Sequence, residues 1–367
     1  MRYKYGISKK RKAPWLFIIS SLVFVAVMVL LALAKSSYGA ADFINGTLSS
    51  AYRQAMAAFG NLFPFSLFEI VIALALPLII LLIAISVRCF KTGRGGKFLL
   101  SLLSAVLLVY SGHTLALGMA YHTTPLATRL DIKETEVNEQ SLARTLILLR
   151  EEINSLSEKI EYTDAGASTS GLALNEISEK ICASYSELSG EYSFIPDFQS
   201  RVKGVHFSEV LSYLSLTGIY TFYTGESNVN TLYPDYDVVF TAAHELAHQR
   251  GILRENEANF MAYLACRSSE DDYLRYSAAL SMYGYIGSAL YRTNRELYGE
   301  INAELCDGAR ADMRASNEVY KEYSGTVFED ISSTVNDLFL KSNGTEGVVS
   351  YGMVVKLAVA YHEANGH

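Results

Sequence analysis

Three long apolar runs, at residues 14–34, 65–87 and 98–120, constrain this chain more than anything else in it. A helix needs about 20 mostly apolar residues to cross about 30 Å of hydrocarbon, so each run is long enough to span a bilayer. The first carries no charge, the second holds Glu69 near one end and Pro77 midway, and the third is uncharged but contains His113. The first run is too long for a signal peptide and lacks its small-residue cleavage pattern, so it reads as a retained anchor. Pro77 reads as a tolerated kink. Glu69 and His113 read as polar contacts inside the helix bundle.

The flanks give a direction. Arg2, Lys4, Lys9, Lys10, Arg11 and Lys12 precede the first run, and Arg88, Lys91, Arg94 and Lys97 crowd the loop between the second and third. The connection from 35 to 64 has only Lys35 and Arg53. Positive residues stay in the cytoplasm. The expectation is therefore a membrane region at 1–120 with its amino terminus inside, and an extracytoplasmic domain at 121–367 on the cytoplasmic membrane. Composition agrees: 50% hydrophobic residues, 19% charged and a net charge of −7 average two different solvents. Residues 14–119 are nearly free of acids, whereas 131–345 hold most of them. This excludes disorder as the dominant state and gives no reason to expect nucleic acid as a partner. The lipid bilayer is the partner the spans imply; oligomeric state is not indicated. Cys89, Cys182, Cys266 and Cys306 show no metal-type spacing. One disulfide is possible in the soluble part, but no disulfide framework.

The soluble part is mainly helical. Leu142, Leu146, Leu149, Ile153 and Leu156 recur at spacings of three and four, predicting an amphipathic helix over 134–160. Residues 162–171 read as a small-residue loop, 172–188 and 208–216 as helices. Residues 219–232, with β-branched and aromatic residues on either side of Gly225, read as a short strand or hairpin. Helix returns at 237–249, Gly251 supplies a stop, and mostly helical sequence runs from 254 to 340. A loop at 341–347 precedes a tail that reads as a last helix docking on the core.

One motif stands out within this pattern. His244-Glu245-Leu246-Ala247-His248 is an HExxH inside a predicted helix with apolar flanks. Histidines at i, i+4 share one helix face and can each give a nitrogen to one Zn²⁺. Glu245, adjacent to that face, is placed as the general base for a water acidified by the metal. A buried helix carrying these groups without partners would be costly. A catalytic zinc needs a third protein ligand. Glu255 is favoured, with Glu257 the alternative; they lie about 200° apart around a helix and are not expected to ligate together. Asn259 shares the Glu255 face and is expected to fix a ligand imidazole. Tyr220, Tyr223, Arg254, Tyr351 and His362 are candidates to stabilise an oxyanion. His206 and His367 read as solvated. GESNVNT, before the motif helix, suits either a plain edge strand or one to which an extended peptide adds.

HELAH followed by ENEAN resembles the gluzincin pattern of zinc metallopeptidases. TGESNVN, AAHELAHQRG and ENEANFMAYLAC together are also similar to a bacterial domain-of-unknown-function family that joins three amino-terminal spans to an HExxH domain. The resemblance covers nearly the whole chain. It implies a zincin-like α+β fold with a small sheet but brings no established substrate; the gluzincin resemblance implies His244, His248 and Glu255 as ligands, Glu245 as base, and a peptide or protein substrate. The gap from His248 to Glu255 is shorter than in most gluzincins, and Asn259 stands where Asp is usual. The expected function is a membrane-anchored zinc metallopeptidase; the competing expectation is a metal-containing binding or sensor module without turnover.

Overall fold

The computed structural model describes residues 14–133, 135–330, 332–334 and 351–364. The basic amino-terminal residues, the 341–347 loop, the Tyr351 side chain and His367 fall outside the described residues.

The three apolar runs form helices α1 (Trp15–Ser36), α4 (Leu67–Lys91) and α5 (Gly95–His113), all long and apolar enough to cross a membrane. α4 buries none of its side chains in the protein, as a lipid-facing helix does. Its Pro77 sits inside the helix without ending it. α5 continues past His113 through a π turn (Thr114–Gly118) and a 3₁₀ turn (Ala120–His122), whose side chains are largely buried. The third span thus runs directly into the body of the protein.

The connection between the first two spans is also part of that body. It folds into α2 (Tyr38–Ile44), a π turn (Asn45–Ser49) and α3 (Ser50–Asn61). Arg53 is fully buried there, donating to the Ala116 carbonyl at 2.9 Å and the Asn45 carbonyl at 3.1 Å. Lys203 donates to the Gly60 and Phe65 carbonyls at 2.8 and 2.9 Å and pairs with buried Glu226. Glu226 in turn accepts the Leu67 and Phe68 amides, both at 3.0 Å, satisfying orphan donors at the start of α4. Glu69 reaches the Phe207 amide at 2.8 Å. The contact expected inside the helix bundle is instead a tether from the second span to the soluble part.

After the short α6 (Leu126–Arg129) comes α7 (Glu139–Ser157), shorter than its periodicity suggested because Asn138 caps it, accepting the Ser141 amide at 3.0 Å. The segment read as a small-residue loop forms a hairpin, β1 (Glu161–Tyr162) with β2 (Ser168–Thr169). α8 (Leu174–Glu191) follows, then β3 (Val202–Val205), α9 (Ser208–Tyr213), β4 (Gly218–Thr221) and β5 (Glu226–Asn230). These last three strands form a sheet of order β3-β5-β4, parallel on the β3 side and antiparallel on the β4 side. The GESNVNT strand is therefore central and wholly buried, not an edge. The edge is β4.

The remaining helices are α10 (Asp235–Gln249), α11 (Glu255–Arg267), α12 (Asp272–Thr293), α13 (Arg295–Ala303), α14 (Asp307–Tyr323) and a C-terminal helix (Tyr351–Ala364). Leu146, Leu149, Ile153, Val239, Phe260, Tyr263 and Tyr283 lie in one apolar core built from α7, α8, α10, α11, α12 and the C-terminal helix. Fully burying each such aliphatic side chain contributes about 1.5–3 kcal/mol. All four cysteines are free; Cys182 instead contacts the Ser200 carbonyl at 3.4 Å.

Candidate metal centre

α10 owes its position to contacts on every side. The Tyr185 hydroxyl donates to the Ala243 carbonyl at 2.9 Å, Ser227 to the Glu245 carbonyl at 3.0 Å, and Gln249 to the Gly225 carbonyl at 2.7 Å. Arg250, at its end, lies over the Tyr185 and Phe198 rings at 4.4 and 4.7 Å. The helix then stops at Gly251, whose φ of +89° favours glycine, and where a Cβ would sit 2.2 Å from the Arg53 guanidinium. That turn brings the chain back so that α11 begins at Glu255, beside the helix it has just left.

The result is a cluster. His244 Nε2 lies 3.3 Å from one Glu255 oxygen and His248 Nε2 lies 3.6 Å from the other. Ligand atoms of the three residues all fall within 4.8 Å of one another. Ligands about 2.0–2.1 Å from a tetrahedral zinc stand roughly 3.3 Å apart, close to each imidazole's distance from Glu255, and two imidazoles with a carboxylate are a donor set that suits that ion. His248 Nδ1 is held at 2.8 Å by the Ile252 carbonyl, which leaves Nε2 turned toward Glu255. Burial works against a charged His248 ring, yet the Glu255 carboxylate outweighs it and lifts the ring to about 9. Glu255, desolvated but held by both imidazoles, falls well below the usual carboxylate range. The Glu255 carboxylate facing both imidazoles would also attract a cation, and a metal competes with a proton for the same lone pairs.

Residues 46–359 match the family described as protein of unknown function, DUF3810. The chain belongs to that family. No curated protein and no solved structure matches it. The matched region takes in α4, α5, both sheets and the whole His244–His248–Glu255 cluster of this DUF3810 chain, ending inside the C-terminal helix.

Glu245 is buried beside the cluster. Burial pushes its carboxyl up, the two histidines pull it down, and the Tyr220 amide hydrogen-bonds to it. Its Oε2 has no partner among the described residues. Gly218 passes so close that a Cβ there would meet Glu245 Oε1 at 2.7 Å and Thr241 at 2.6 Å; only glycine lets β4 lie against the carboxylate.

Glu257 is not in the cluster. It accepts from Arg254 at 2.8 Å and from the Leu126 amide at 2.9 Å. Arg254 also donates to the Tyr121 and Thr123 carbonyls at 2.9 and 2.7 Å. Both expected site residues therefore join α11 to the end of the third span, and Arg254 is committed away from an oxyanion role. Asn259 lines the same cleft as the cluster, but it forms no hydrogen bond with either imidazole; the Ile252 carbonyl takes that part for His248. His362 is buried against Tyr263 at 2.9 Å, away from the residues lining the cleft. Tyr220 and Tyr223 do line it. The Tyr220 hydroxyl has no partner among the described residues, and burial raises its pKa, keeping it a donor.

The cleft holds about 1840 Å³. Besides the cluster and β4 it is lined by His113, Leu117 and Tyr121, from the third span and its extension. His113 packs edge-on against Phe222 at 5.2 Å, so its contact too is with the soluble body rather than within the helix bundle alone. Nothing in the local sequence signals these residues; only the fold brings them to the site.

Proposed function

We propose that this chain is a membrane-anchored, zinc-dependent metallopeptidase on a zincin-like scaffold, hydrolysing peptide bonds at the outer face of the cytoplasmic membrane. The observation that carries the reading is the convergence of His244, His248 and Glu255 beside the buried carboxylate of Glu245. Bound zinc supplies Lewis acidity and lowers the pKa of a water toward about 7. Glu245 takes the proton from the attacking water and delivers it to the leaving amine; a buried carboxyl with raised proton affinity suits both transfers. Tyr220, which lines the cleft and has a hydroxyl without a partner among the described residues, is our candidate donor to a developing oxyanion. β4, an antiparallel edge lining the cleft, orients an extended substrate by strand addition. The outward placement rests on the lysines and arginines flanking the spans.

The test is zinc content and cleavage of a broad peptide library by the full chain in nanodiscs, compared with Glu245→Gln. One zinc in each protein is expected, with cleavage by the wild type at least about 10²-fold faster. Equal zinc with no cleavage by either would overturn the peptidase and leave a metal-containing binding or sensor module.

A further inference from the structure

We propose that the substrate is a polypeptide anchored in the same bilayer, reaching the metal cluster along the free edge of β4 from the end of the third span. Turnover of such a substrate rests on the peptidase reading; its binding does not.

The direction of β4 is the main observation. Its first residue, Gly218, lies against Glu245, and the chain then runs through Tyr220 to Phe222, whose ring meets His113 of the third span. One cleft contains both ends of this line. A strand rises about 3.3 Å per residue, so Gly218 and Phe222, the two ends of the track, are roughly 13 Å apart, or about four extended residues. Pairing on the other side leaves this edge open except at the Tyr220 amide, which Glu245 holds. The Asn230 amide donates to the Thr217 carbonyl and the Gly225 amide to the Thr221 carbonyl. Alternation along an antiparallel pair then turns the N–H and C=O groups of Gly218 and Tyr220 outward.

The walls of the track change along its length. Toward the membrane, Leu117, Tyr121 and Leu253 pack with Tyr220 and Phe222, an apolar and aromatic lining that suits the flank of a hydrophobic anchor. Ser316, Asn317 and Arg292 also line the cleft, groups that suit a hydrated peptide end. A peptide on β4 therefore meets an apolar lining at the Phe222 end, beside α5, an apolar helix long enough to span the bilayer. The anchor's chemistry is hydrocarbon continuous with a short extended peptide, which either an acyl chain or a transmembrane helix provides.

The experiment uses the full chain in nanodiscs with zinc and one peptide sequence in several forms: unanchored, acylated with spacers of increasing length, and fused to a transmembrane helix. Cleavage is expected within about ten residues of the anchor, at a position that moves along the sequence as the spacer lengthens. Cuts that stay at one sequence position in every form, or equal rates for the unanchored peptide, overturn the proposal while leaving the peptidase intact. A higher local concentration alone does not move the cut. If no form is cut, a photo-crosslinking residue at Phe222 in the Glu245→Gln background decides. At least tenfold more adduct with anchored than with unanchored peptide upholds the binding track and sinks the peptidase, whereas equal or absent adducts overturn the track. Comparing acyl with helical anchors identifies the source.

Discussion

The Ile252 carbonyl oxygen lies 2.8 Å from Nδ1 of His248, and this single contact decides which nitrogen the ring offers to Glu255. The contact depends on the turn at Gly251. Gly251→Ala combines an unfavourable φ of +89° with a clash against Arg53, so it moves the carbonyl. Losing such an orienting partner costs about 10–100-fold in metal affinity. Zinc titration against a competing chelator is expected to show that loss.

Glu255 and Glu257 are two positions apart but have separate tasks. Glu255→Gln is expected to abolish tight zinc binding and also to lower apo-protein stability, because both imidazoles lose the carboxylate that pairs with them. Glu257→Gln is expected to retain zinc but destabilise the fold, because Arg254 loses its charged partner and the Leu126 amide a strong acceptor. Breaking a buried pair costs about 3–5 kcal/mol. Zinc stoichiometry separates the two roles, and thermal unfolding of both variants measures the two losses.

The pair Lys203–Glu226 joins the sheet to the start of the second span. Lys203→Met leaves Glu226 buried with two amides but no cation, for a loss of about 3–5 kcal/mol. The expected readout is a lower unfolding temperature, with hydrogen exchange rising in β3, β5 and the first turn of α4.

Asp237 has a defined pH signature. Burial raises its carboxyl to about 6 against hydrogen bonds from Ser316 and Tyr236. Between the ordinary value of 3.8 and about 6, the folded protein keeps a proton that the unfolded chain releases. Stability therefore falls as pH rises through that window and is flat above it. Asp237→Asn is expected to be more stable than the wild type by up to about 3 kcal/mol at pH 7.5, and the gain should vanish near pH 4. Unfolding temperatures of both proteins across pH 4–8 check the slope.

The spans and the HExxH pair were legible in the sequence because they rest on local spacing: apolar length for α1, α4 and α5, and i, i+4 geometry for His244 and His248. Glu255 was legible because Gly251 turns the chain within a few residues. What depended on distant partners was not. β3 is four residues whose identity as a strand comes from pairing with β5. The GESNVNT strand gave no sign that it has a neighbour on each side. Residues between the first two spans looked like a plain connection, yet buried Arg53 and Gly60 build part of the soluble body. Glu69 and His113, both read as bundle contacts, found partners in Phe207 and Phe222, 138 and 109 positions further along the chain. Asn259 kept the right face and still missed the imidazoles, since a backbone carbonyl already held His248.

The central claim is the metal's coordination. X-ray absorption at the zinc edge of the zinc-loaded full chain measures it directly. The expected shell is two imidazole nitrogens plus oxygens from Glu255 and a water at about 2.0–2.1 Å, with one imidazole lost in His244→Ala and unchanged in Glu257→Gln. A shell with sulfur near about 2.3 Å, or one that is unaffected by His244→Ala, would contradict it.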